Sequence, residues 1–152
     1  MNAVTRNRVE VMHGVNLDML GRRDHDIYGH FTLPELETQI KRHARELDLE
    51  AAFFQSNSEG AFVEHLHRLP ERADAALINA GAWTHYSWAI RDALDLTGIP
   101  SVEVHISDIS KREEWRRRTV FEDLEIVIGR IYGKGADGYR EALELIAARL
   151  EG

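Results

Sequence analysis

Ala75-Ala76-Leu77-Ile78-Asn79-Ala80-Gly81-Ala82 is the stretch that decides the fold. Its first four residues are apolar without interruption, as expected of a parallel strand covered on both faces. Asn79 and the small residues after it then turn the chain away. Upstream, residues 8–12 read as a strand. Thr32 and Glu35 have capping-box spacing, and Pro34 suits the first turn of a helix. Leu36, Ile40, His43, Ala44 and Leu47 continue that helix at its proper period. Residues 50–55 form a second strand candidate, and residues 56–60 have polar turn chemistry. Phe62, Val63, Leu66 and Leu69 make a helical stripe expected to stop at Pro70.

Downstream, Thr84 or Ser87 can cap a helix carrying Ile90, Ala93, Leu94 and Leu96, which ends at Gly98. A strand is expected over residues 101–106, then a charged segment at 108–119 with room for a short helix. The last strand is expected over residues 124–128. Tyr139, Ala142, Leu143, Ile146 and Leu150 mark a final amphipathic helix. Strands alternating with helices imply right-handed βαβ units and a parallel sheet. The expected fold is α/β: a flavodoxin-like three-layer sandwich with a five-stranded parallel sheet of order 2-1-3-4-5. No repeat or linker interrupts residues 1–152, so one domain is expected, with the polar residues 1–7 frayed.

The chain has 152 residues, 43% hydrophobic and 30% charged, an ordinary globular balance. It has no cysteine, which removes disulfides, thiolate nucleophiles and cysteine metal sites. No apolar run approaches the roughly 18 residues that span a bilayer, and the N-terminus has no signal-peptide core. A cytoplasmic location and no membrane partner are therefore expected. The net charge of −7 argues against a nucleic-acid partner. An anionic ligand would have to be met by local arginines.

In such sheets ligands bind beyond the carboxyl ends of the strands. That rule gathers three distant segments onto one rim: Asn16 with the loop after strand one, residues 79–85, and residues 103–107. The first of these, residues 13–31 (HGVNLDMLGRRDHDIYGHF), is long for a connection between a strand and a helix. It is either a mobile surface loop or a binding lid. Glu103 and His105 are two apart on a strand, so their side chains share a face. The carboxylate can orient the imidazole and favour its protonated form, making His105 a candidate general acid. The alternative is a strand histidine bonded within the core. Tyr28 lies in the loop with Arg22 and Arg23, whose positive charge favours a phenolate able to take a carbon-bound proton. The alternative is a packing tyrosine. One of Arg112, Arg116, Arg117 and Arg118 could clamp a carboxylate. His65 and His67 point to different sides of their helix and are expected at the surface, not on a metal.

The segments GVNLDMLGRRDHDIYG, QSNSEG, INAGAWTHYSWAIRDAL, SVEVHISDISKREEWR and GADGY together resemble the type II 3-dehydroquinate dehydratases, in the order and spacing of that family. The resemblance runs from Val9 to the final helix. It implies a flavodoxin-like fold and a lyase that converts 3-dehydroquinate to 3-dehydroshikimate in the shikimate or quinate pathway. The reaction it implies is an anti elimination through an enolate, with no cofactor and no metal. Tyr28 would be the base, held as phenolate by Arg23, and Asn16 would stabilise the enolate. His105, oriented by Glu103, would protonate the departing hydroxyl. Asn79, His85, Ile106, Ser107 and Arg116 would bind substrate, and Asp92 would reach it from a neighbouring subunit. Arg112 also matches a recurrent family arginine. A homo-oligomer is implied, a dodecamer of four trimers.

The chain departs from that pattern at His13, Val15, Asp18 and Trp83, and three of these bear on the site. His13 and Val15 flank Asn16, and bulky Trp83 lies in a substrate-binding segment. Lysine occurs only at positions 41, 111 and 134, none at a strand end facing the site, which argues against a Schiff-base route. Two other functions are open to this fold: FMN binding, and a catalytically silent paralogue acting as a binding protein. The first wants a compact Ser/Thr/Gly phosphate loop after strand one, which is not what this loop offers. Residues 21–29 are expected to be a lid, poorly ordered or held away in a ligand-free crystal, that delivers Arg23 and Tyr28 to bound substrate.

Overall fold

Val9 and Val11 point to one side of the first strand, and Glu10 and Met12 to the other. All four are buried, so this strand needs a helical layer on each face. The computed structural model describes residues 6–152 and shows that arrangement. The expected fraying at residues 1–7 falls mainly outside the described part. The strands are β1 (Arg8–His13), β2 (Glu50–Gln55), β3 (Ala75–Asn79), β4 (Ser101–His105) and β5 (Val127–Tyr132). They form one sheet of order β2-β1-β3-β4-β5, parallel throughout. The helices are α1 (His25–Tyr28), α2 (Leu33–Glu46), α3 (Glu59–Arg72), α4 (Trp88–Thr97) and α5 (Asp137–Glu151).

Helices α2 and α5 cover one face. Leu36, Ile40 and Ala44 of α2 and Tyr139, Leu143 and Ile146 of α5 pack there with Val9, Val11, Val102 and Val104. Helices α3 and α4 cover the other face, with Phe62, Leu66, Leu69, Ile90 and Leu94 against Met12, Ala76 and Ile78. Full burial of each large apolar side chain contributes about 1.5–3 kcal/mol. The caps are local. Thr32 and Glu35 form the full capping box of α2, Ser58 caps α3, and Ser87, not Thr84, caps α4. Helix α4 ends at Gly98, whose φ of 63° is left-handed.

Two expectations about these elements are corrected. Helix α3 runs two residues beyond Pro70, to Arg72. The last strand starts at Val127 and runs to Tyr132, because residues 124–126 form turns instead, with the Leu124 N–H bonded to the Phe121 carbonyl. Residues 108–119 hold two short 3-10 turns, Ile109–Lys111 and Glu114–Arg116.

His65 is also not a surface residue. Its Nε2 lies 2.6 Å from Glu10 Oε2, both side chains are buried, and the Phe54 ring stacks on the imidazole at 3.9 Å. A carboxylate on the buried face of a central strand requires such a partner. His67 is exposed, as expected. No group of three or more metal-ligating side chains occurs among the described residues, and no helix among them is long and apolar enough to cross a membrane.

Candidate active site

The carboxyl ends of β1, β3 and β4 lie side by side: His13 pairs with Asn79, and Ile78 with Glu103. Beyond them the chain leaves the sheet in three connections. Gly14 donates its N–H to the Asn79 carbonyl at 2.7 Å, and any Cβ at Gly14 would collide with the Ala80 backbone. The cleft above is lined by Asn16 from the first connection, Asn79 at the end of β3 with His85 after it, and His105 at the end of β4 with Ile106 and Ser107 after it. Arg116 closes one side, and Arg23 and Tyr28 come from the loop before α2. Val15, Leu17, Gly81, Ala82 and Ile109 fill the walls between them.

Asn16 sits in the left-handed region with φ of 69°. Its N–H donates to Asn57 Oδ1 at 2.8 Å. Gln55 Nε2 also donates to that oxygen and to the Gly14 carbonyl, each at 3.2 Å, while Asn57 Nδ2 donates to Asp18 at 3.2 Å. The turn after β2 therefore clamps the turn after β1. The sequence shows only that both are polar turns, because strand pairing alone brings them together.

Glu103 and His105 share a face of β4, as alternation requires. His105 Nε2 lies 2.6 Å from Glu103 Oε2, and both residues are buried. This leaves Nδ1 for the cleft. The other carboxylate oxygen accepts from Thr119 Oγ1 at 3.1 Å and Arg130 Nε at 2.9 Å. Burial works against the charge on Glu103, but His105 and then Arg130 outweigh it and hold the carboxyl below the usual carboxylate range. His85 stacks near His105, with ring centroids 6.2 Å apart. Its Nδ1 is 2.6 Å from the Arg118 carbonyl, which can only accept, so Nδ1 carries the proton. Burial, helped by His105 and Arg116, lowers the His85 pKa and favours the neutral ring, with Nε2 free to accept. Asn79 is anchored at both ends of its amide: Nδ2 donates to the Tyr139 hydroxyl at 3.0 Å, and Oδ1 accepts from Gly81 N–H at 3.1 Å. Burial pushes the Tyr139 phenol up to about 12, opposed by the Asn79 bond.

The segment expected to be a lid lies against the cleft. Asp24 caps the single turn of α1, which sets Tyr28 in the cleft wall. The Arg23 guanidinium lies 3.7 Å from the Tyr28 ring centroid. Arg112 Nη1 donates to the Tyr28 hydroxyl at 3.1 Å and to Ser107 Oγ at 3.2 Å. Arg112 thus has a larger part than the sequence alone gave it. Burial lowers the Arg23 pKa, with further lowering from Arg116 and Arg112 and partial compensation by Tyr28. Burial also opposes the charge on Arg112, but Tyr28 and Glu113 raise its pKa overall. Three guanidinium groups therefore focus positive charge in a protein of net charge −7. Arg116 is steadied by Glu113, with Nε to Oε2 at 2.7 Å. Arg22 is exposed, Arg117 is tied to the Arg112 carbonyl, and Arg118 contributes its own carbonyl to His85.

The departures sort differently from expectation. Trp83 buries its ring against Phe62, 5.4 Å between centroids, and is not in the cleft lining. His13 points under α2, with Nε2 3.1 Å from Glu37 Oε2 in a geometry that makes no hydrogen bond. Only Val15 of the three faces the cleft. Asp92 is exposed on α4 and does not line its own chain's cleft.

A cleft on the rim of a five-stranded parallel sheet, bringing together Tyr28, the Glu103–His105 pair and a cluster of arginines, defines the class: a flavodoxin-like α/β protein. Comparison with known proteins narrows it. The family described as dehydroquinase class II matches residues 7–147. The chain is 50% identical over 144 residues to a 3-dehydroquinate dehydratase of Thermotoga petrophila, covering 95% of this chain and 97% of that one. It is 43% identical over 144 residues to a catabolic 3-dehydroquinase of Verticillium alfalfae, covering 95% of each. The crystal structure of a type II dehydroquinase from Butyrivibrio crossotus superimposes with a TM-score of 0.89 at 36% identity, covering 98% of this chain and 100% of that one. The chain belongs to the class II dehydroquinase family.

Proposed function

We propose that this protein dehydrates 3-dehydroquinate to 3-dehydroshikimate by anti elimination, with Tyr28 as base and His105 as acid. The observation that carries this reading is the placement of Tyr28, between Arg23 and Arg112, in one cleft with the Glu103-bound His105. Tyr28, as phenolate, takes the proton from the carbon next to the ketone. The electron pair moves onto the carbonyl oxygen to form an enolate, stabilised from the Asn16 side. The enolate then re-forms the ketone and expels the hydroxyl, which takes a proton from His105 Nδ1 and leaves as water. Proton exchange with solvent returns Tyr28 and His105 to their starting states. Two positive side chains at Tyr28 offset the negative charge that the base must carry.

Arg116 holds the substrate carboxylate in this scheme, with its guanidinium fork matched to that group. The neutral Nε2 of His85, the Asn79 amide and the Ile106–Ser107 segment meet the hydroxyls. No residue of the scheme needs a cofactor or a metal. Asp92 completes the site from an adjacent subunit of a trimer, and four trimers make a dodecamer. The test is to incubate purified protein with 3-dehydroquinate and follow the ultraviolet absorbance of the conjugated product. Product formation is expected. Its absence at high enzyme concentration would refute the catalytic reading and leave a binding protein of the same fold. Borohydride added during turnover should trap no covalent adduct, since Lys111 is exposed and Lys134 is paired with Glu141.

A further inference from the structure

Arg130 lies outside the cleft, on the outermost strand β5, and is the ladder partner of Glu103 on β4. Ladder partners project to the same face, so its side chain reaches the back of the Glu103–His105 pair. One Glu103 oxygen meets His105 Nε2 at 2.6 Å and the other meets Arg130 Nε at 2.9 Å. A single buried carboxylate is thus shared between an imidazole and a permanent cation. We propose that Arg130 is a positioning residue that limits, through Glu103, how tightly the proton is held on His105.

The physical argument is one of competition. A carboxylate that faces only an imidazole gives all its attraction to the imidazolium. A guanidinium on the opposite oxygen draws part of that attraction away and adds a repulsion of its own. Both effects make the proton easier to release, as a general acid requires. The other titratable groups around His105 are Tyr132, its ladder partner on β5, and on the cleft side His85 from the turn after β3, Arg116, and Arg23 and Tyr28 from the lid. The cleft-side groups line the cleft itself. Arg130 does not, and its side chain is 30% exposed, so it can be replaced without entering the cleft or opening the core. The inference rests on His105 being the acid, and the experiment separates the two.

Arg130→Gln keeps a hydrogen-bond donor and removes the charge, while Arg130→Lys keeps the charge. The His105 ring is titrated by NMR without substrate, its signal assigned by its loss in His105→Asn. The expected midpoint rises by about half a pH unit in Arg130→Gln, the scale of one partly exposed charge contact, and stays near wild type in Arg130→Lys. The alkaline limb of the kcat/KM profile should move up with it. Equal midpoints in all three proteins, or an equal rise in both variants, would overturn the proposal. A midpoint that rises as expected over an unmoved alkaline limb would support the Arg130 effect and remove His105 from the acid's role.

Discussion

Two tyrosines mark opposite uses of the phenol at the residue scale. Tyr28 is half-buried among guanidinium groups, whereas Tyr139 is fully buried with only the Asn79 amide for company. Tyr28→Phe should abolish turnover while leaving substrate binding within a few-fold, since it removes the proposed base and little surface. Activity within tenfold of wild type would exclude Tyr28 as the base. Tyr139 gives a pH prediction. Its pKa is about 12 in the fold, against about 10 when unfolded. The folded state therefore binds more protons between those values, so this contribution is present below pH 10 and lost as pH rises to about 12. The loss is on the order of 2 kcal/mol. Tyr139→Phe should flatten the fall in stability across that window, measured by urea unfolding at successive pH values. It should also raise KM, because Asn79 loses its anchor. Glu103 and His105 were legible in the sequence because alternation on a strand fixes which side chains meet. Arg130, Thr119 and Asn57 were not. Each acts through a neighbour supplied by sheet order, and nothing local marks it.

Local chemistry was most legible among the elements at the helix starts. Thr32 and Glu35 announce α2, and the structure shows both halves of the box. Thr32→Ala should cost about 1 kcal/mol of stability by urea denaturation. Because Thr32 also ends the segment that carries Tyr28, a kinetic loss beyond the change in stability would show that the cap positions the lid. Apolar runs were a poorer guide. Leu124 and Ile126 looked like a strand but lie in turns, while Gly129 and Arg130 interrupt the true strand and disguise it. Pro70 looked like a stop, but a helix already near its end continues for two more residues. Helical spacing with His67 places His65 at the surface, but its buried partner Glu10 is 55 positions away.

The whole molecule concentrates its chemistry on three central strands. The strand order and the rim that gathers the site follow from alternation and the carboxyl-end rule, so both could be read from the sequence. The state of the lid could not, because it depends on Arg112, 84 positions from Tyr28. Assembly is the other property that one chain does not carry. If the proposed trimer forms, Asp92→Asn should lower turnover with the fold and assembly unchanged, checked by sedimentation beside kinetics. Equal activity would remove the neighbouring subunit from the site. The strand order has a last consequence, for amide exchange and inactivation. β1, β3 and β4 each have a strand on both sides, so their amides should be the slowest to exchange with deuterium. The single turn of α1 has no such support and should exchange early. Activity in rising urea should then vanish before fluorescence reports unfolding, so loss of catalysis would measure the release of one helical turn, with the sheet beneath it still intact.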